Sequence, residues 1–281
     1  MPADDRGLGA GPPESLADAG SVTGSRRPPG AAGLALGLPR VHHRLTDSTN
    51  QRAKELARDG APSGTVVTAA EQQHGRGRHG RRWVAPAGRA LLMSLILRQV
   101  EPFGPPLALA AGLAVCEACE ACAEVSCSLK WPNDIWIDGH KVAGVLVDAR
   151  PQDAWAVIGI GVNVETTAEE LAVGPGVEAT SLRVASGSRP DAAVPALLEA
   201  LLPALAGRLT RAPEAIVAEF RTRDALLGTE VRWRDGVGRA AGVSPTGALL
   251  IETTAGARVE IDAGDISRVV DLAGYPSRRG N

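Results

Sequence analysis

Four arginines, two histidines and three glycines fall within the thirteen residues EQQHGRGRHGRRW, positions 71–83. Glycine lets backbone N–H groups come close to an anion, and each arginine adds a planar, permanently charged fork. Such a stretch can grip a phosphate or a carboxylate. It can equally be a solvated basic turn. It is not a Walker A loop, because the chain contains no G-x4-G-K-[ST]. Without an anion, its like charges repel and its glycines carry entropy, so it is expected to be loose when empty and to close as a lid over a reactive phosphate. The formal net charge of the whole chain is −2, which gives no global pull toward nucleic acid or an anionic membrane. The basic stretch is therefore a local device.

A second group of reactive types follows. KWPND occupies 130–134, and HKVAGVLVD occupies 140–148. Lys141 opens a run of Val, Ala, Gly and Leu, where a charged amine is costly unless an anion meets it or it sits at a sheet edge. Asn133 and Asp134 follow a proline. They read either as a plain turn or as polar groups beside a ligand or Mg²⁺. Gly144, Gly159 and Gly161 interrupt strand-like runs, which marks places where another group approaches the backbone.

These residues need a scaffold, and the pattern supplies one. VHHRL reads as a short strand, and DSTNQRAKELARDG as a helix with Asp47, Ser48 or Thr49 at its N-cap and Gly60 as its stop. GTVVTAAEQ and RALLMSLILR read as strands on either side of the basic loop. PPLALAAGLAVCEACEACAEV reads as a helix. SCSLKWPND, DIWIDG, HKVAGVLVDAR and AWAVIGIGVNV read as strands, with Asp138-Gly139 as a hairpin turn. One or two helices are expected over 191–223. From Gly228, short strands separated by Gly, Pro and Asp turns predict a small β-barrel. The fold class is α+β: a mixed sheet packed with helices, plus an SH3-like C-terminal barrel.

The four cysteines, Cys116, Cys119, Cys122 and Cys127, have the spacing of an iron–sulfur run. They lie in an alanine-rich, helix-favouring segment with three glutamates, so small buried helix residues are the better reading. Residues 1–40, with eight glycines and six prolines, read as a disordered or loosely attached extension. Hydrophobic residues make up 44% of the chain, enough to build a core. No apolar run reaches the roughly 18 residues of a membrane span, and no signal-peptide pattern opens the chain, so a cytoplasmic protein is expected.

STN at 48–50, the arginine loop, KWPND, KVAGVLVD at 141–148 and GIGVN at 159–163 together resemble the biotin protein ligases, in order and in separation. The resemblance spans about 41–272. It implies a catalytic domain over 41–225, a small barrel over 226–272 and a tail over 273–281. It implies a two-step acyl transfer with biotin and ATP as substrates and Mg²⁺ accompanying the ATP. Biotin's carboxylate attacks the α-phosphate to give biotinyl-5′-AMP and pyrophosphate. A lysine of a biotin carboxyl carrier domain, in acetyl-CoA or acyl-CoA carboxylase or a related biotin enzyme, then displaces AMP.

Residue by residue, Lys141 resembles the family lysine that contacts the biotin carboxylate and the α-phosphate. Arg76 joins it in catalysis. Ser48, Thr49, Asn50, Gln72, Gly75, Arg76 and Gly144 match biotin-pocket positions. Arg78, Arg81, Trp83, Asn133, Asp134 and Asn163 match positions around the nucleotide. Trp83 either packs on adenine or anchors the loop's end. No resident metal-ligand set is read. Some family members carry an N-terminal helix-turn-helix. The Gly/Pro-rich first 40 residues show no such helix pair, so the ligase-only type is expected, with no nucleic-acid or membrane partner, as monomer or homodimer. Two other readings stand beside it: a lipoate or fatty-acyl ligase of the same fold, and a nucleic-acid-binding regulator using the basic loop.

Overall fold

The strands that the sequence writes as unbroken apolar runs become the centre of a sheet buried on both faces. The computed structural model describes residues 35–98, 105–171, 179–187 and 194–269. The expected extension up to residue 34 and the tail 273–281 lie outside the described residues. In chain order the elements are β1 (Arg40–His43), α1 (Thr49–Arg58), β2 (Val66–Ala69), β3 (Ala90–Arg98), α2 (Pro105–Cys122), β4 (Ser128–Lys130), β5 (Asp134–Ile137), β6 (His140–Arg150) and β7 (Trp155–Asn163). There follow α3 (Ala168–Leu171), α4 (Leu182–Ala185), α5 (Val194–Leu209) and α6 (Pro213–Arg221). The chain then forms β8 (Glu230–Trp233), β9 (Gly236–Val243), β10 (Leu249–Thr253), β11 (Arg258–Ile261) and β12 (Ser267–Arg268).

Seven strands form one mixed sheet in the order β1-β2-β3-β7-β6-β5-β4. Only β1 and β2 run parallel, and every other neighbouring pair is antiparallel. Alternation along β3 and β7 sorts side chains between two layers. Leu91, Met93, Leu95 and Leu97, with Ala156, Ile158, Ile160 and Val162, join the large core built with α2 and α5. Ile96, Trp155 and Val157 face Ala53 and Ala57 of α1 on the other side. The α1 face is the one that carries Gly159 and Gly161.

Turn chemistry places the strands. Asp138 and Gly139 have φ of 49° and 81°, the left-handed pair that closes the β5–β6 hairpin and that the DG dipeptide announces. β2 is shorter than its apolar run. Its C-terminal continuation pairs instead with the loop before α1, through Thr46 N–H to Glu71 O at 3.1 Å and Gln73 N–H to Thr46 O at 2.9 Å. Residues 35–40 of the expected extension lie on this body: Gly37 N–H donates to Gly64 O at 2.9 Å, and Leu36 packs against the core.

The C-terminal strands form one five-stranded antiparallel sheet, β11-β10-β9-β8-β12. It is not a closed barrel. β12 is two residues long and pairs only with β8 among the described residues, which leaves too short a ladder to meet β11. Its inner residues Val231, Ala240, Val243, Leu249 and Ile251 belong to the same core as the large sheet. Cys116 and Cys119 are fully buried in α2, and Cys127 is buried just beyond it, so the cysteines pack as small core residues. The neighbouring Cys116 and Cys119 thiols hold the Cys127 thiol below its usual range.

Candidate active site

Three glycines make a recess in the α1 face of the large sheet. In the β6–β7 ladder Gly144 pairs with Gly161 and Leu146 with Gly159, so the missing side chains adjoin. Two groups fill the space. A Cβ on Gly161 would lie 2.6 Å from the Trp83 ring, and one on Gly159 would lie 3.0 Å from the Asn50 amide. The glycines therefore report close approach by the end of the arginine loop and by the first turn of α1.

That first turn is built unusually. Ser48 has the extended backbone of an N-cap, yet its hydroxyl makes no capping bond. Capping falls to Gln72, whose Oε1 accepts from Thr49 N–H at 2.7 Å and from Thr49 Oγ1 at 3.1 Å. Ser94 Oγ donates to Thr49 Oγ1 at 3.0 Å from the sheet below. The released groups are buried and unpartnered: Ser48 Oγ, both amide atoms of Asn50, and Trp83 Nε1. Asn50 lines a cavity of about 610 Å³ whose roof is His74–Arg82 and whose floor includes Leu146, Val147 and Asp148. Unmet hydrogen-bonding capacity at buried atoms is costly, so a ligand with its own donors and acceptors would be favoured there. Lys54 on α1 holds Asp148 at 2.6 Å and fixes that edge of the cavity.

The cationic end lies beside the recess. Lys141 Nζ donates to Asp134 Oδ1 at 2.6 Å and stands 5.8 Å from the Trp83 ring centroid. The apolar strand thus carries its lysine at the price of an ion pair, and the partner is the last residue of KWPND. Asn133 stitches that turn to β6: its Nδ2 donates to Val145 O at 2.7 Å, and Val145 N–H donates to Asn133 O at 2.9 Å. Its Oδ1 is thereby aimed at Arg78 Nη1, 3.2 Å away. Burial pulls the Arg78 guanidinium below its usual range, against the charges of Asp265 and Asp134.

The loop has a defined path. Gly77 N–H donates to Arg81 O at 2.8 Å and Trp83 N–H to Gly75 O at 3.0 Å, with one tight turn at 78–80. Arg81 Nη2 reaches Asp265 of the C-terminal sheet region at 2.6 Å, with His79 Nε2 3.6 Å from the same carboxylate. The Arg81–Asp265 pair is half exposed or more on both sides, so it contributes at most about 1 kcal/mol, roughly a fivefold change in loop opening. Asp265→Asn should raise tryptic cleavage after Arg78 and Arg81 by up to about fivefold at low salt. Matching cleavage rates in the two proteins would show that this pair does not hold the loop.

The sequence model of the Biotin/lipoate A/B protein ligase family matches residues 42–165, and that of the Biotin protein ligase C terminal domain matches 226–269. The biotin--[acetyl-CoA-carboxylase] ligase of Mycobacterium tuberculosis is 35% identical over 238 residues, covering 79% of this chain and 85% of that protein. The chain belongs to the biotin protein ligase family. The bifunctional ligase/repressor BirA of Bacillus spizizenii is also 35% identical, over 79% of this chain and 71% of its own length. The biotin protein ligase from Aquifex aeolicus in complex with biotin and ATP superposes with a TM-score of 0.71 at 30% identity, covering 82% of this chain and 99% of that one.

Apart from Asn163, the residues singled out in the sequence lie around the arginine loop and the first turn of α1. Ser48, Thr49, Asn50, Gln72, Gly75, Arg76, Arg78 and Arg81 lie at the first turn of α1 or in the loop above it. Trp83, Gly144, Lys141, Asp134 and Asn133 lie beneath and beside that loop. Asn163 stands apart, with its amide buried and donating to Thr180 O at 3.0 Å. Thr180 N–H in turn donates to Lys141 O at 2.8 Å, so Asn163 steadies the backbone under the lysine. Asp265 and the Lys54–Asp148 pair escaped sequence reasoning. A single aspartate in a turn far along the chain carries no pattern, and a helix lysine reads as solvated surface.

Proposed function

We propose that this chain is an ATP-dependent biotin protein ligase that forms biotinyl-5′-AMP and transfers biotin to a lysine of a biotin carboxyl carrier domain. The observation that carries the reading is the buried Asn50 amide, with both atoms unpartnered, in a cavity roofed by the arginine loop. A cyclic urea offers N–H donors and a carbonyl acceptor together, which suits Asn50 and Ser48. The valeryl chain lies in the cavity under the arginine loop and brings the carboxylate toward Lys141 and Arg76.

In the first step a carboxylate oxygen attacks the α-phosphorus, and pyrophosphate leaves. Two anions must meet, so the barrier is lowered by cations fixed beforehand. Lys141 has three donors and gives one to Asp134, leaving two for the carboxylate and the phosphate. Arg78 and Arg81 give their present partners up to phosphates. Magnesium enters with ATP as part of the substrate. In the second step the acceptor amine attacks the acyl carbon and AMP leaves. Residues 41–225 carry this chemistry, and 226–272 buttress the loop and the KWPND turn. The acceptor is the carrier domain of a biotin-dependent carboxylase, and the cytoplasm supplies it with ATP.

Arg78 is half-buried against Asn133, and the exposed Arg81 and Arg82 are tied to Asp265 and Gln73 O, which favours a small anion over nucleic acid. The deciding experiment measures pyrophosphate release with biotin and with lipoate in turn. Release should require biotin. Release with lipoate alone, or none with biotin, would overturn the reading.

Arg76 belongs to the loop that roofs the cavity and Lys141 to the strand β6 beside it, so their losses should differ. Arg76→Ala should still make adenylate but retain it poorly, and the freed mixed anhydride acylates amines without an enzyme. Incubated with biotin, ATP and an unrelated lysine-rich protein, the variant should label that bystander several-fold more than the wild type does. Good adenylate formation with no bystander label would remove Arg76 from gating and leave it a binding residue.

A further inference from the structure

The chain has three lysines among its thirty basic residues: Lys54, Lys130 and Lys141. This bears on the proposed chemistry, because an acyl adenylate is consumed by any neutral amine it meets. Arginine stays protonated at every physiological pH and offers no lone pair. Nearly all of the chain's positive charge, including the loop over the cavity, is thus in a form that the adenylate cannot acylate.

The three amines stand differently. Lys54 is buried and bound to Asp148 at 2.6 Å. Lys141 is bound to Asp134 at 2.6 Å. Each would have to leave a carboxylate before attacking. Lys130 has no carboxylate within ion-pair distance among the described residues; its ammonium lies over the Trp136 ring, 5.1 Å from the centroid. It is half-buried, at the end of the edge strand β4. Lys130 pairs directly across the ladder with Asp134, and such pairs put their side chains on one face. It therefore shares the face that holds Asp134 and, through it, Lys141.

We propose that Lys130 is the chain's own acyl acceptor, the residue that takes biotin from the adenylate when no carrier domain is present. The inference rests on the ligase reading. The Nζ lone pair bonds to the acyl carbon, the bond from that carbon to the phosphate oxygen breaks, AMP leaves with the electrons, and the surplus amine proton goes to water. Burial, with the positive charges of Lys141 and Arg81, outweighs the attraction of Asp134 and Asp265 and holds the Lys130 amine below its usual range. A larger share of it is then neutral and nucleophilic.

The test offers ready-made biotinyl-5′-adenylate to the full chain without a carrier, then maps the acyl group by mass spectrometry of peptides. The expected result is a single site at Lys130. Lys130→Arg keeps the charge and the ring contact but has no acylable amine, and should lower the label on the chain at least tenfold. Label at Lys54, Lys141 or the α-amino group would overturn the inference. So would an unlabelled chain beside a labelled lysine-rich peptide, or a Lys130→Arg chain labelled like the wild type. Pyrophosphate release with biotin and ATP is measured separately, so a chain that acylates Lys130 from added adenylate but releases none would sink the ligase reading alone.

Discussion

Lys141→Ala should slow biotinyl-adenylate formation by about 10²–10³-fold, the loss of about 2.7–4 kcal/mol that follows removal of one preorganised charge contact. The lysine is held before any substrate arrives, on a strand paired on both sides and by a 2.6 Å bond to Asp134. No reorganisation is needed when charge shifts between carboxylate and phosphate. The loss should therefore fall on the chemical step, seen as a lower single-turnover rate with little change in the biotin concentration needed. Asp134 loses its partner in the variant, so a thermal melt must accompany the kinetics. An adenylation rate within threefold of the wild type would take Lys141 out of the chemistry.

Trp131→Ala should destabilise the protein by about 3–5 kcal/mol. The indole is among the largest fully buried side chains, 1% exposed, and its Nε1 donates to Gly247 O at 2.9 Å. Gly247 lies in the turn between β9 and β10, so the tryptophan of KWPND fastens the C-terminal sheet to the KWPND turn. Trp131→Phe keeps most of the packing but strands the Gly247 carbonyl, a cost of about 1–3 kcal/mol. Urea unfolding gives both numbers. A loss under 1 kcal/mol for the alanine variant would mean that the two sheets are not joined through this residue.

Much of this was legible in the sequence because the signals were local. The DG turn, the apolar runs of β3 and β7 and the helices α1 and α2 depend on neighbours in the chain. Gly144, Gly159 and Gly161 announced a close approach, and the structure names Trp83 and Asn50 as what approaches. The rest depends on distant partners. The lysine in an apolar strand raised the question of its anion, and the hairpin register answers it with Asp134. The Ser48 hydroxyl looked like a cap, but Gln72 takes that task from another strand's end and sets Ser48 free. The closed barrel fails on length: Gly and Asp turns separate the strands, but the last strand is too short to complete a ring.

The shared core has a consequence for the order in which the protein can come into being. Ribosomes deliver the chain from its N-terminus, so the arginine loop, the KWPND turn and Lys141 all emerge before β8–β12. Until those last strands arrive, Trp131 has no Gly247 to bond, the core lacks Val231, Ala240, Val243, Leu249 and Ile251, and Arg81 has no Asp265. The residues that would hold a reactive anhydride are thus translated early and secured late. A ribosome-bound fragment ending before residue 226 should be a poor maker of adenylate, which keeps a nascent, unguarded site from releasing an acylating agent amid the lysines of the ribosome.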